Sequence, residues 1–258
     1  MSKRPSPASR LDGQVIVQEA LRVVAAPARR LFLRRALSLG GLALLSGCDL
    51  VDEKSVETAL MRVSRFNDRA QGWLFSPTDL APTYSAADIT RPFPFNAYYA
   101  ESLVREVDAD SFRLEVTGLV ADRRSWTLDA LRALPQEEQI TRHICVEGWS
   151  AIGRWGGVRF AEFLKRVGAD TSAKYVGFKC ADDYYTSIDM PTALHPQTVL
   201  ALSYDGQPLP PRYGFPMKLR MPTKLGYKNP KHIQAIFVTN TYPGGYWEDQ
   251  GYNWFGGS

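Results

Sequence analysis

The segment Arg142-His143-Ile144-Cys145-Val146-Glu147-Gly148-Trp149-Ser150 constrains this chain most. Residues 139–144 alternate apolar and polar like a strand, and Gly148 and Gly153 permit a turn after them. Cys145, one of three cysteines in 258 residues, is therefore presented where a strand gives way to a turn. A thiol in that position suits a soft-metal ligand or a nucleophile. A buried structural cysteine is the ordinary alternative, and spacing alone does not choose between them.

The rest of the pattern points to a mixed fold. Residues 112–118 read as a strand ending at Gly118. Thr127 caps a short helix with Leu128, Leu131 and Leu134 on one face and Pro135 beyond it. Residues 139–146 form a second strand, and Phe160, Phe163 and Leu164 mark another helix closing near Gly168. Further strands are expected over 175–180, 186–190, 199–204, 217–221 and 233–238, with Asp205-Gly206 as a turn. Short strands, short helices and no βαβ rhythm indicate an α+β class. Residues 49–85 read as a tether and an irregular stretch, and residues 86–258 as the working domain with an aromatic C-terminal tail.

Charge is unevenly placed. Residues 1–48 carry eight Lys/Arg against two acidic groups, so a whole-chain charge of +4 leaves residues 49–258 at −2. The basic balance belongs to the leader and argues for no nucleic-acid partner. Residues 36–47 are an apolar run too short to cross a bilayer but long enough for a signal peptide. Arg29-Arg30-Leu31-Phe32-Leu33-Arg34 resembles a twin-arginine export signal. Leu45-Ser46-Gly47-Cys48 resembles a lipobox, which would make Cys48 the lipidated first residue of the mature protein. A retained hydrophobic anchor is the simpler alternative. Cys145 and Cys180 then remain, either free or as a disulfide.

Arg142-x-x-Cys145-Val146-Glu147-x-Trp149 resembles the molybdenum-ligand segment of the sulfite oxidase-like molybdopterin enzymes, nearest their periplasmic methionine-sulfoxide reductase branch. The resemblance covers roughly residues 90–240 and implies the sulfite oxidase fold, a Mo-molybdopterin cofactor and oxygen-atom transfer. It implies that Cys145 ligates the metal beside two sulfurs of the pterin, with Glu147 and Trp149 at the reacting centre. Phe95-Asn96-Ala97-Tyr98-Tyr99 resembles a family segment in which an Asn and a Tyr, here Asn96 and Tyr99, contact the pterin. On residues alone a surface turn after Pro92 and Pro94 is the favoured reading. The run from Pro210 to Lys218, followed by Lys224-x-Gly226-x-Lys228-Asn229-x-Lys231, resembles the family's phosphate-binding loops. It nominates Tyr213, Lys218, Lys228, Asn229 and Lys231, although Lys218 stands where the family has Arg, which loses a bidentate fork and keeps the charge. A solvated basic loop is the alternative. Cys180 either lines the pterin pocket or belongs to the core. His195 is assigned a structural role, and the histidines lack zinc- or haem-ligand spacing.

The resemblance also implies an exported enzyme on the periplasmic side of the inner membrane, held there by lipid. With no haem or Fe–S motif in the chain, electrons would come from a membrane b-type cytochrome or another one-electron carrier. Sulfite-oxidising relatives follow the ligand cysteine with cations, whereas Val146-Glu147 follows here, which favours a small neutral sulfoxide or N-oxide. Sulfite dehydrogenation and a metal-free binding module on the same fold are the alternatives, and a monomer is the default.

Overall fold

A computed structural model describes residues 53–258; the export and lipobox motifs, with Cys48, lie outside the described residues. A long helix α1 (Glu53–Leu74) comes first. It replaces the irregular stretch expected there. The segment has helix-forming Ala, Leu, Met, Arg, Glu and Gln throughout and meets Gly72 and Ser76-Pro77 only at its end. A compact unit begins at Met61 and runs to Ser258.

Two sheets build that unit. The first pairs β1 (Glu115–Gly118) in parallel with β9 (Ile233–Thr239), and β9 antiparallel with β4 (Tyr175–Cys180), which pairs with β5 (Tyr185–Asp189). The second runs β2 (Glu137–Ile144), β3 (Ser150–Arg159), β6 (Val199–Tyr204) and β7 (Gln207–Pro208), with β8 (Lys218–Arg220) also on β6. Short helices α2 (Leu128–Arg132), α3 (Phe160–Arg166) and α4 (Met190–Leu194) complete an α+β fold. Thr127 caps α2 as expected, its Oγ1 accepting the Ala130 N–H at 3.1 Å.

The sequence pattern does not reveal β3, because it contains Gly153, Gly156 and Gly157. The sheet explains Gly157: a Cβ there would lie 1.9 Å from the Leu200 carbonyl oxygen on β6. The main core combines Val116, Phe178 and Ile236 of the first sheet, Val158 and Leu200 of the second, Leu131 of α2, Phe160 and Phe163 of α3, and Leu114 and Trp126. A second cluster joins Phe93, Trp155, Leu209 and Tyr213 beside the β2–β3 hairpin. The β4–β9 ladder shifts register between Lys179 and Cys180, ending regular pairing where β4 leaves the sheet and β9 enters it. Loops from both sheets converge at that point.

Candidate molybdopterin site

The β2–β3 turn presents the thiol. Ile144 pairs with Ser150, the Cys145 N–H donates to the Trp149 carbonyl at 2.9 Å, and Gly148 takes φ +92°. Few side chains adopt that φ, so the glycine fixes the turn. Cys145 Sγ accepts from Asn96 Nδ2 and donates to Glu147 Oε2, each at 3.6 Å. Burial pushes the thiol up, and the Glu147 carboxylate adds to the effect. Trp149 Nε1 donates to the same carboxylate oxygen at 2.9 Å, fixing Glu147 beside the sulfur. Asn96 Nδ2 also meets His143 Nε2 at 3.0 Å, which makes that nitrogen an acceptor and the ring neutral. Burial holds His143 well below the usual histidine range, and Lys218, Arg220 and Lys231 push the same way.

The thiol stands on the wall of a cavity of about 530 Å³. Lys218 on β8, Asn229 and Lys231 before β9, and Asp182 after β4 line its polar side. Tyr98, Tyr99, Tyr184, Tyr227, Trp247 and Tyr252 line its aromatic side. Lys231 is buried, its Nζ has no hydrogen-bond partner, and it lies 4.6 Å from the Phe95 ring centroid. Burial lowers it to about 8. Lys218 is more deeply buried, 4.8 Å from the Trp155 ring centroid, and burial holds it well below the usual lysine range. Neither lysine forms a salt bridge among the described residues. Two buried cations without a carboxylate partner are costly unless an anion joins them.

The motif glycines have structural reasons. A Cβ on Gly226 would lie 2.9 Å from His143 Nε2 and 3.0 Å from Asn96 Nδ2, so only glycine lets the lysine loop reach the thiol's neighbours. Gly214, at φ +115°, passes so close to Lys231 that a Cβ would lie 2.8 Å from the lysine Cβ. His232 holds a positive φ of 53°, its Nδ1–H donating to the Phe215 carbonyl at 2.6 Å. Together these turn Lys231 toward the cavity.

Of the residues nominated from sequence, Asn96, Tyr99, Cys145, Glu147, Lys218, Asn229 and Lys231 line this one cavity. Asn229 also braces it, with Oδ1 accepting from the Met221 N–H at 2.7 Å and from Arg220 at 3.2 Å. The other four stand elsewhere. Trp149 acts through Glu147. Cys180 is buried at the end of β4, and neither it nor Cys145 forms a disulfide. Tyr213 donates to the Phe93 carbonyl at 3.0 Å within the second apolar cluster. Lys228 is fully buried against Glu248, Thr186 and the Ser187 carbonyl. Its cation is neutralised internally, which removes it from the anion site.

Sequence reasoning misses Arg220, His143, Asp182 and the Tyr184 wall. Arg220 donates to Thr141 Oγ1 at 3.2 Å and to the Arg142 carbonyl, bracing β2 just before the thiol. Strand alternation could have found two of these residues. Arg220 follows Lys218 by two and His143 precedes Cys145 by two, so each shares its neighbour's face. Tyr99 donates to Asp182 Oδ2 at 2.8 Å, a link between distant segments that has no sequence signature.

This cavity offers a soft sulfur ligand at one end, amide and phenol groups along its side, and unpaired buried cations for a phosphate. Residues 101–247 match the family described as the oxidoreductase molybdopterin binding domain. The chain belongs to that family. It is 75% identical over 232 residues to the putative protein-methionine-sulfoxide reductase subunit YedZ1 of Azospira oryzae, covering 90% of this chain and 88% of that one. It is 37% identical to the protein-methionine-sulfoxide reductase catalytic subunit MsrP of Xanthomonas campestris pv. campestris, over 53% of this chain and 47% of that protein. The fold is similar to that of the sulfane dehydrogenase SoxCD from Paracoccus pantotrophus, with a TM-score of 0.50 and 18% identity over 54% of this chain and 40% of the other. Family membership makes the chain a molybdopterin oxidoreductase. The buried, unpartnered Lys231 and the Cys145 thiol fit the cofactor's anionic and metal ends.

Proposed function

We propose that this enzyme reduces a neutral sulfoxide, with electrons delivered one at a time by a membrane b-type cytochrome. Cys145 would be the protein's ligand to molybdenum, and Asn96, Tyr99, Lys218, Asn229 and Lys231 would hold the pterin and its phosphate. When bound, the cofactor supplies two-electron oxygen-atom transfer. The overall reaction takes up two electrons and two protons, giving a thioether and water.

The single observation that carries the substrate class is Glu147, whose carboxylate stands 3.6 Å from the Cys145 sulfur on the cavity wall. A sulfite dianion entering there would meet like charge, and a partly buried site strengthens the repulsion. A sulfoxide meets none. Its alkyl arms have an aromatic surface in Tyr98, Tyr184, Trp247 and Tyr252. Tyr98 and Tyr99 donate toward Asp182, and burial raises both phenols, Tyr98 to about 12, so both keep their protons at neutral pH. The names of the Azospira and Xanthomonas relatives support the same substrate class. Export by the twin-arginine route, lipidation at Cys48 and a periplasmic location belong to this reading and rest on the sequence motifs. A cofactor-bearing enzyme is assembled folded, which suits that route.

Steady-state kinetics on molybdenum-loaded enzyme test it. Small sulfoxides should be reduced saturably with an artificial donor, and sulfite should be oxidised weakly or not at all. Cys145→Ser should alter the metal's spectrum and abolish turnover. Fast sulfite oxidation without sulfoxide turnover would replace this reading with a sulfite dehydrogenase.

A further inference from the structure

Helix α1 is built the wrong way round for a helix that only covers a core. Val63, Phe66, Ala70, Trp73 and Leu74 fall at i, i+3, i+7, i+10 and i+11, which places them on one face. Val63, Phe66, Trp73 and Leu74 are 57%, 66%, 85% and 74% exposed. The same spacing continues upstream through Leu60 and Val56, both exposed. The polar side packs inward instead. Asp68 accepts from Asn253 Nδ2 at 2.7 Å and from the Phe255 N–H at 3.0 Å, and Gly72 lies against the Phe255 ring. An isolated exposed apolar side chain is ordinary, but a contiguous stripe on a helix clamped by its polar face marks a contact surface.

We infer that α1 lies in the plane of an anionic lipid surface, with its Val63–Phe66–Trp73 face in the headgroup–acyl boundary. Arg62, Arg65 and Arg69, all exposed and none in a salt bridge among the described residues, border the stripe on one side. A Trp/Phe/Leu face flanked by arginines is the pattern of an interfacial helix, and each arginine near anionic headgroups adds attraction. The chain upstream agrees: the apolar run at residues 36–47 and Cys48 end within five residues of the helix start at Glu53. No helix among the described residues is long and apolar enough to cross a membrane, so α1 lies along the surface. The placement needs no acyl chain on Cys48, although lipidation would reinforce it.

The test uses the full-length holoenzyme on vesicles of phosphatidylcholine with phosphatidylglycerol, some acyl chains carrying bromine. Trp73 fluorescence, taken as the difference from Trp73→Phe, should be quenched. The double variant Val63→Asp/Phe66→Asp should lose that quenching and weaken binding about tenfold. Its sulfoxide turnover with a soluble donor should stay unchanged. Omitting phosphatidylglycerol should also weaken binding. Vesicle-bound protein whose Trp73 remains unquenched overturns the inference. So does shielding of Trp73 only when the membrane contains the electron-donating protein, which would make that protein the occupant. Failure of the anchor reading shows separately, as a mature protein whose mass and N-terminus show no acyl group on Cys48.

Discussion

Four lysines of the Pro/Gly-rich loops look alike in sequence and end in opposite circumstances. Lys218 and Lys231 face the cavity without a salt bridge among the described residues. Lys228, three residues before Lys231, is sealed against Glu248, with both side chains essentially fully buried. Lys224 stacks on the Phe255 ring at 2.9 Å and donates to the Phe255 carbonyl at 3.0 Å. The first pair leaves its charge available to a ligand, and the second spends it on the C-terminal tail. A lysine's role here is set by what another element places opposite it.

The largest effect is expected from Lys228→Met. It strands Glu248 as a buried, uncompensated carboxylate, and about 3–5 kcal/mol of stability should be lost in denaturant titrations. The loss should be the same with and without cofactor; a larger loss in the cofactor-loaded protein than in the cofactor-free protein would place Lys228 in the anion site after all. Lys231→Met should do the reverse. Cofactor retention should fall about tenfold or more, as expected for losing a charge-assisted contact, while the cofactor-free protein should lose no stability. Folded Lys231 titrates near 8 and an unfolded lysine near 10.5, so between those values the unfolded chain binds more protons. The stability of cofactor-free protein should therefore rise with pH across that window, and Lys231→Met should make the rise shallower, the rest coming from the other buried lysines. The smallest effect belongs to Lys224→Met, where a cation–π contact is lost and an apolar stem kept. About 1 kcal/mol in thermal melts is expected, with cofactor content unchanged.

Alternation and turn residues made much of the fold legible: β4, β6 and β9 fall within a residue of their expected limits, and α2 starts at the expected cap. β3 was hidden because its glycines answer to the Leu200 backbone on another strand. α1 was hidden because its apolar face does not meet the core. At the site, Cys145, Glu147 and Asn96 were legible because local motifs carry them. The division among the lysines was not, since Glu248 lies twenty residues beyond Lys228 and nothing in the spacing links them. Tyr213 illustrates the same limit: its motif position suggested a cofactor contact, but its hydroxyl reaches the Phe93 carbonyl.

The Asp68 clamp has a mechanical meaning. The segment it grips, through Asn253 and Phe255, continues from Trp247 and Tyr252 on the cavity wall. On the membrane placement inferred for α1, the surface that seats the helix would set the bearing of the cavity wall as well. The heading at which that wall would meet a donor would then depend on two hydrogen bonds and a ring contact inside the fold, and lengthening the upstream tether would leave it unchanged.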